Sequence, residues 1–294
     1  MLQCLPDRHS RHLVIEPVVL CWAHPGDVSG RFMDSVLRLM FASQEAVRTG
    51  VRPDPVIRGY RYVEGGPRIA SSRNRLVRDL LNAPEFKDVE WFLMLDADMV
   101  FDESLLPALF EGVRDENGTV RLPIVGGLCF GGGHGVIVPT MYSIVDPKEN
   151  GGDPVRVITD FEDGEIVEVD ATGAACLLVH RGVYEALAAT FPEPSPWFSE
   201  SVYLGHEFGE DWTFCLRARS LGFQIHVNTN AKVGHMKSVM MDENMWRTGR
   251  SNLRSLNAMP GAEESASVTK LVIPDKATIT QLNREQRRAM ARNR

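Results

Sequence analysis

A run of five large apolar residues, from Trp91 to Leu95, is followed at once by Asp96-Ala97-Asp98. An unbroken apolar run of this length predicts a strand covered on both faces, because a strand with one face in water alternates apolar and polar residues. Ligands of open α/β sheets bind beyond the carboxyl ends of the strands. The two aspartates therefore stand where such a sheet is expected to carry a site.

Strand and helix patterns alternate on both sides of this run. The expected strands cover residues 13–22, 56–63, 123–128, 174–179, 223–227 and 231–235. A first helix is expected to carry Phe32, Val36, Leu39 and Met40 on one face. A second is expected over 71–82, with Ser71 or Ser72 as its cap. Further helices are expected from about Asp102, over 183–189 and over 209–221. This alternation predicts an α/β sandwich.

Composition and charge limit the classes of partner. With 44% hydrophobic and 24% charged residues, the 294-residue chain has the composition of a globular protein. Its net charge of −7 argues against nucleic acid as a partner of the main body. Five Arg and one Glu in residues 284–294 give a local charge of +4, so the preceding residues sum to −11. An acidic body with a basic tail needs an explanation if the ligand is an anion.

The pattern changes suggest three regions. We expect an N-terminal extension over 1–12 and one domain over 13–250, with a nucleotide-binding half (13–128) and an acceptor half (129–250). A polar extension follows over 251–294 and ends in a basic helix. Residues 131–135, Gly-Gly-Gly-His-Gly, are expected to form a flexible loop that serves as a lid or lets a ligand approach closely.

Cysteine usage and hydropathy bear on location. The five cysteines include no C-x-x-C pair and lie mostly in apolar segments, which predicts buried free thiols in a reducing cytoplasm. The chain has no run of about 18 apolar residues, so no membrane span is expected. The N-terminus does not read as a signal peptide, because Glu16 and Pro17 interrupt its apolar stretch.

The acidic pair suggests a metal site. Carboxylates as close as those of Asp96 and Asp98 repel each other unless a cation lies between them. A hard divalent ion that also binds a diphosphate would remove this repulsion. His235 follows Asp211 by 24 residues and would complete a mixed nitrogen and oxygen site for Mn²⁺. The alternatives are an ordinary helix start for the aspartates and a surface or core position for the histidine.

Two helix starts carry further candidates. Glu210 and Asp211 open a helix after a Gly- and Pro-rich loop, where a carboxylate is either a general base or a partner of the helix dipole. Arg73, near the start of the 71–82 helix, is a candidate for binding phosphate. The first strand is not followed by a G-x-G-x-x-G motif, which argues against a dinucleotide cofactor.

Taken in order, these elements resemble the GT-A glycosyltransferases, especially the small soluble enzymes of the glycosyltransferase family 2 type from bacteria and their phages. The resemblance covers about residues 13–238. The matching segments are His24-Pro25-Gly26, Ser72-Arg73-Asn74-Arg75, Leu95-Asp96-Ala97-Asp98, Asp170-Ala171-Thr172-Gly173-Ala174, Gly209-Glu210-Asp211-Trp212 and His235.

The resemblance implies a three-layer α/β/α sandwich with a mixed, mostly parallel central sheet. It implies a UDP- or GDP-sugar donor and a carbohydrate or protein acceptor in the cytoplasm of a bacterium or a phage-infected host. Mn²⁺ or Mg²⁺ would be bound by Asp96, Asp98 and His235, and Asp211 beside Glu210 would be the base of an inverting transfer. The donor would be contacted by His24, Pro25, Gly26, Arg73, Asp96, Ala97, Asp98 and Gly173.

Three other functions stay open. Retaining members of the same fold also use a metal-binding histidine. A nucleotidyltransferase uses a similar acidic site, although His24-Pro25-Gly26-Asp27 lacks the glycine-rich basic loop that a triphosphate requires. A non-catalytic sugar-binding or assembly protein could keep the fold, but it would have no need of Glu210 and Asp211 facing a sugar.

Overall fold

The computed structural model describes residues 14–65, 68–133 and 136–237. The predicted extensions over 1–12 and 251–294, with the basic terminal helix, lie outside the described residues. The strands are β1 (Val18–His24), β2 (Ile57–Glu64), β3 (Trp91–Asp96), β4 (Met99–Val100), β5 (Ile124–Leu128), β6 (Phe130–Gly133), β7 (Val136–Pro139), β8 (Met141–Ile144), β9 (Val155–Val157), β10 (Ile166–Val169), β11 (Ala171–Thr172), β12 (Cys176–His180), β13 (Ser201–Tyr203), β14 (His206–Phe208), β15 (Ile225–Lys232) and β16 (Gly234–His235).

In the part of the chain that the structure describes, these strands are accompanied by five α-helices: α1 (Gly30–Arg48), α2 (Ile69–Asn82), α3 (Leu105–Leu109), α4 (Arg181–Thr190) and α5 (Glu210–Ser220). Sequence explains the start of α1, because the Ser29 hydroxyl accepts hydrogen bonds from the backbone N–H groups of Arg31 and Phe32. The helical spacing of Phe32, Val36 and Leu39 then buries one face of α1, as predicted. No helix among the described residues has the length and apolar character needed to cross a bilayer.

Seven strands form the central sheet, in the order β10-β15-β5-β12-β3-β1-β2. Strands β2, β1 and β3 are parallel neighbours, and β5 and β15 are a second parallel pair. Strand β12 runs antiparallel to both of its neighbours, β3 and β5, and β10 runs antiparallel to β15. The predicted mixed, mostly parallel sheet is therefore confirmed.

Both faces of this sheet are covered. In β1, Val18, Leu20 and Trp22 belong to one apolar core, whereas Val19 and Cys21 belong to the other. Helices α1 and α3 contribute to the first core, and α2, α4 and α5 contribute to the second. The prediction of a three-layer α/β/α sandwich is confirmed, and the apolar run 91–95 is fully buried as expected.

The two predicted halves share one sheet. Strand β12, from the second half, lies between β3 and β5, which belong to the first half. At this centre the chain is tightly packed: a Cβ on Gly127 would lie 3.0 Å from the Ala231 carbonyl oxygen and from the Cys176 Sγ. Glycine is therefore required where β5 passes its neighbours.

Several sequence-based boundaries were wrong. Helix α2 begins at Ile69 with Arg68 as its cap, so neither Ser71 nor Ser72 caps it. Residues 131–133, predicted to be a loop, extend β6, which pairs with β7 in a hairpin. Helix α3 begins only at Leu105, because Asp102 Oδ1 accepts the Ser104 N–H in a turn that precedes the helix.

The cysteines that the structure describes agree with the prediction of buried free thiols. Cys21, Cys129, Cys176 and Cys215 are free and buried. Burial raises the pKa of these thiols, to about 12 for Cys176. They are therefore packing residues rather than nucleophiles.

Candidate active site

The candidate site lies at the carboxyl edge of the parallel strands. Strand β3 ends at Asp96, whose backbone N–H donates to the Ala175 carbonyl, 2.9 Å away. On the neighbouring strand, Ala23 is the register partner of Asp96, so His24 lies one residue further along the same edge. The loop that precedes β12 and the end of β3 are thus held together by main-chain contacts.

Arg73 connects this edge to helix α5. Its Nη2 donates to Asp96 Oδ1 and its Nη1 donates to Glu210 Oε1, each at 2.7 Å. The Arg73 side chain is only 5% exposed. Arg73 projects inward because it lies on the face of α2 that carries the buried Leu76, Val77 and Leu80. Both terminal nitrogens donate to carboxylates, and a contact between Arg73 and phosphate stays a prediction.

The surroundings of Asp211 shift its pKa. Burial raises its pKa above the ordinary value, and the negative charge of Glu210 raises it further. The positive charge of Arg73 opposes both effects, as does the hydrogen bond that the Trp212 N–H donates to Asp211 Oδ1 at 2.9 Å. A carboxyl with a raised pKa is a stronger base once ionised than an exposed aspartate.

Asp98 contacts the last residues that the structure describes. His235 Nε2 lies 3.0 Å from Asp98 Oδ2, and Lys237 Nζ donates to the same oxygen at 3.3 Å. Strand β16 sets this contact by pairing with β4, so that His235 is opposite Met99. The main chain adds a hydrogen bond from the Met236 N–H to the Asp98 carbonyl, 2.9 Å away.

The donor set fits a divalent cation in part. His235 Nδ1 lies 2.9 Å from the Phe130 carbonyl oxygen, which can only accept, so this nitrogen carries a proton. A neutral ring then has its lone pair on Nε2, the nitrogen that faces Asp98, and can bind a cation there, whereas a doubly protonated ring donates to Asp98 Oδ2. Within residues 14–65, 68–133 and 136–237, no three His, Cys, Asp or Glu side chains are grouped to hold a metal. Asp98 and His235 thus supply two of the donor atoms that a divalent cation would need, and their role as metal ligands stays a prediction.

His24, Pro25 and Gly26 form a tight turn at the end of β1. The Gly26 N–H donates to His24 Nδ1 at 3.2 Å, and Gly26 has a φ of +130°, which favours glycine. The His24 ring lies 5.3 Å from the ring of Tyr62 on the edge strand β2. The structure places this turn beside the Asp96 end of β3, as the sequence suggested, and donor contacts there stay a prediction.

Gly173 leaves space in front of Asp211. A Cβ built on Gly173 would lie 3.6 Å from Asp211 Oδ2 and 3.9 Å from Thr140 Cβ. Thr172, the preceding residue, donates from its hydroxyl to the Thr140 carbonyl at 2.7 Å. The segment that the sequence singled out therefore borders the carboxylate proposed as a base.

No role was predicted for the aromatic side chains beside Asp211, although Trp212 belongs to one of the matching segments. The Tyr142 and Trp212 rings lie 4.9 Å apart, and Trp212 lies 5.0 Å from Phe208. Burial raises the pKa of Tyr142, and the charge of Asp211 raises it further, as expected for close neighbours. Trp212 follows Asp211 in the sequence and could have been noticed. Tyr142 lies far away in sequence and comes near only because it pairs with Ala171.

Several solved structures resemble this chain at low sequence identity. No family model and no curated protein matches the sequence. Among solved structures, a protein from STIV has a TM-score of 0.43 and 16% identity, over 76% of this chain and 86% of that one. GalNAc-T7, solved with UDP, GalNAc and Mn²⁺, has a TM-score of 0.45 and 10% identity, over 76% of this chain and 44% of that one.

A glycosyltransferase involved in the glycosylation of the major capsid of PBCV-1 has a TM-score of 0.39 and 11% identity. The similarity spans 81% of this chain and 99% of that one. Because each of these TM-scores is below 0.5, the functional conclusion below rests on the geometry of the site.

Proposed function

We propose that this chain is a metal-dependent GT-A glycosyltransferase of the family 2 type. It would move a sugar from a nucleotide-sugar donor, such as a UDP- or GDP-sugar, to an acceptor hydroxyl with inversion at the anomeric carbon. The observation that carries the proposal is the Arg73 bridge, because it brings the acidic strand end at Asp96 and the acidic helix start at Glu210 into one site.

Asp98 and His235 would hold Mn²⁺ or Mg²⁺, with Asp96 close by. The Phe130 carbonyl supports this role because it accepts the proton on Nδ1, so that a neutral His235 ring has Nε2 available for a cation beside Asp98. When bound, such an ion would neutralise negative charge on the diphosphate of the donor. Lys237 is the cation nearest to Asp98 among the described residues, and it would contact the diphosphate or move aside.

Asp211 would act as the general base. Its carboxylate takes the proton from the acceptor hydroxyl while that oxygen forms a bond to the anomeric carbon. The bond between the anomeric carbon and the diphosphate oxygen breaks, and its electron pair leaves with the nucleoside diphosphate. The raised pKa of Asp211 supports this role, since a base is most effective when its pKa approaches the working pH.

Arg73 and Glu210 would position the base rather than react. Arg73 is buried between Asp96 and Glu210, so it fixes the start of α5 relative to the end of β3. Gly173 keeps the space before Asp211 Oδ2 open for the attacking hydroxyl. The turn His24-Pro25-Gly26 and Ala97 would border the donor at the same sheet edge.

The test is a screen of UDP-, GDP- and TDP-sugars for release of nucleoside diphosphate with and without MnCl₂. We expect Mn²⁺-dependent release from one of the donors, and inversion should be visible in the anomeric coupling constant of the product by NMR. Release of pyrophosphate would instead indicate nucleotidyl transfer. Nucleotide-sugar binding without any release would indicate a binding protein, and a retained anomeric configuration would contradict the role given to Asp211.

A further inference from the structure

We propose that β2 is an interface between two copies of this chain, in which the β2 strands of both copies pair antiparallel about a twofold axis at Arg61. The inference is independent of the proposed function. Strand β2 (Ile57–Glu64) lies at one edge of the central sheet, where β1 is its only neighbour among the described residues. The strand at the other edge, β10, has four residues, whereas β2 has eight. An edge strand of this length is a template on which another strand can pair.

The outer edge of β2 offers main-chain groups at alternate residues. The Gly65 N–H donates to the His24 carbonyl at 2.9 Å, so the main chain of Gly65 is directed at β1. Because these groups alternate along an extended strand, the odd-numbered residues before it face β1 as well, and the N–H and carbonyl groups of Tyr60, Tyr62 and Glu64 face away from β1. The register with β1 is regular over this part of β2, since its irregularity lies at the start of the strand.

Charge selects one register for the pair of strands. In an antiparallel ladder, hydrogen-bonded pairs join residues whose main-chain groups face each other, so a symmetric pair that uses Tyr60 places it opposite Tyr60, Tyr62 or Glu64 of the second copy. With Tyr60 opposite Tyr62, the exposed Arg58 lies opposite the exposed Glu64 of the second copy, and symmetry repeats this pair. The other two registers place Arg58 opposite Tyr62 or Glu64 opposite Tyr60. Opposite charges across two strands favour the first register.

The same register joins two exposed aromatic surfaces. The rings of Tyr60 and Tyr62 stack on Trp22 of β1, with ring centres 5.4 and 5.8 Å from that of Trp22. Trp22 is buried, whereas Tyr60 and Tyr62 are 44% and 54% exposed. Aromatic side chains directly opposite each other on antiparallel strands contact one another and stabilise the pair. Pairing of two copies would therefore remove both tyrosines of each chain from water.

Arg61 lies at the proposed twofold axis, where it would be opposite Arg61 of the second copy. Its side chain is on the other face of β2 from the tyrosines, with its guanidinium carbon 4.9 Å from the centre of the Phe86 ring. It forms an ion pair with Glu85 of its own chain. Because Glu85 offsets the positive charge, the two Arg61 side chains do not oppose the pairing as unpaired like charges would.

The experiment measures the mass of the full chain by sedimentation equilibrium across the micromolar concentration range. We expect a reversible equilibrium between monomer and dimer, because an interface built on one pair of strands is small. Arg58→Glu and Glu64→Arg should each weaken dimerisation at least about tenfold, since each places like charges opposite each other at two symmetric positions. Glu168→Arg, an exposed charge reversal on the other edge strand β10, is the matched control and should leave the equilibrium unaltered.

A mixture of the two variants tests the register itself. In a dimer of one Arg58→Glu chain and one Glu64→Arg chain, both cross-strand pairs join opposite charges, so the mixture should dimerise at concentrations where each variant alone is monomeric. A folding defect in either variant would not be repaired by mixing. A wild type that stays monomeric throughout the range, or a mixture no more dimeric than its components, would overturn the inference. A monomer whose Tyr60 and Tyr62 amides are protected from hydrogen exchange would also overturn it, because another segment of the same chain would then cover this edge.

Discussion

His235 Nε2 lies 3.0 Å from Asp98 Oδ2, and the opposite ring nitrogen is held 2.9 Å from the Phe130 carbonyl. Because the Phe130 carbonyl keeps a proton on Nδ1, a neutral His235 ring has its lone pair on Nε2, the nitrogen that faces Asp98. A divalent cation can take the place of a proton between Nε2 and the Asp98 carboxylate. The contact joins the last described strand to the segment that follows β3, since β16 pairs with β4.

Asp98→Ala and His235→Ala should each weaken Mn²⁺-dependent nucleotide binding at least about tenfold, because each removes a proposed ligand of the ion. Calorimetric titration of UDP and GDP, with and without MnCl₂, measures the effect. Asp88→Ala is the control, as Asp88 is exposed three residues before β3. Undiminished Mn²⁺ dependence in both variants would refute the assignment of the metal site.

Asp211→Asn should lower the rate of transfer by about 10²–10⁴-fold while nucleotide binding is retained, since an amide cannot take the acceptor proton. Single-turnover transfer and nucleotide titration on the same preparation measure both quantities. Parallel loss of transfer and nucleotide binding would show that Asp211 is a structural or ligand residue instead.

The same Asp211→Asn substitution should raise the Tm at neutral pH. Because burial raises the pKa of Asp211 in the folded state, the folded protein binds this proton more tightly than the unfolded chain. Asp211 therefore lowers stability as pH rises from the ordinary aspartate pKa through the raised one. Asparagine removes this loss, so the stability of the variant should depend less on pH in that interval. A lower Tm would contradict this.

On the acid side of the pH profile, kcat/KM should fall with an apparent pKa above the ordinary aspartate value of about 3.9 (the acid limb). The base must be ionised to react, and the pKa of Asp211 is raised. Glu210→Gln removes a negative neighbour of Asp211 and should move this limb to lower pH. Glu207→Gln, on the exposed hairpin, is the control and should leave it in place. A limb that moves upward in Glu210→Gln would reject Asp211 as the group observed.

Arg73→Met should lower the free energy of unfolding by about 3–5 kcal/mol, since it leaves Asp96 and Glu210 without their buried cation. Urea denaturation measures the change. Arg75→Met is the control on the same helix. Its side chain is 68% exposed and its ion pair with Asp79 is long, so a much smaller loss of stability is expected.

A second variant tests whether the Arg73 effect is electrostatic. Adding Glu210→Gln to Arg73→Met removes one of the unpaired carboxylates and should recover part of the lost stability. A double variant no more stable than Arg73→Met would mean that Arg73 acts through its packing, for instance on the Phe198 ring, 5.8 Å from its guanidinium carbon.

Gly173→Ala should reduce transfer about 100-fold with little change in stability. The added methyl would lie 3.6 Å from Asp211 Oδ2, where the attacking hydroxyl is proposed to approach, yet it meets only ordinary contacts. Initial rates at saturating donor give the effect on transfer. Gly30→Ala, where no atom lies within 4 Å of the added methyl, is the control. Unchanged transfer in Gly173→Ala would place the acceptor elsewhere.

The sequence was sufficient to predict the layers of the fold because local periodicity decides them. The run 91–95 had to be a central strand, and the spacing of Phe32, Val36 and Leu39 had to give a helix with one buried face. Helix starts were less predictable: serine normally caps a helix, but α2 begins before Ser71 with a residue whose side chain makes no capping bond.

The contacts of the site could be predicted only in part. Residue type and position made four site residues recognisable: Asp96, Asp98, Asp211 and His235. The residue that each of them contacts depends on how segments far apart in the sequence pair with one another. The spacing of Arg73 to Leu76 and Leu80 indicates the buried face of α2, but the carboxylates that it contacts lie on other elements and could not be inferred locally. Location in the cytoplasm and origin in bacteria or phages stay predictions.

The antiparallel strand β12 has a consequence for how such a protein can diversify. Because it is hydrogen-bonded to β3 on one side and β5 on the other, the sheet cannot open as two lobes, and neither half can be replaced alone. Segments outside the sheet are under no such constraint. The eight residues from Ser201 to Phe208 form a separate two-stranded hairpin, so another loop could replace them without breaking the hydrogen bonds of the central sheet.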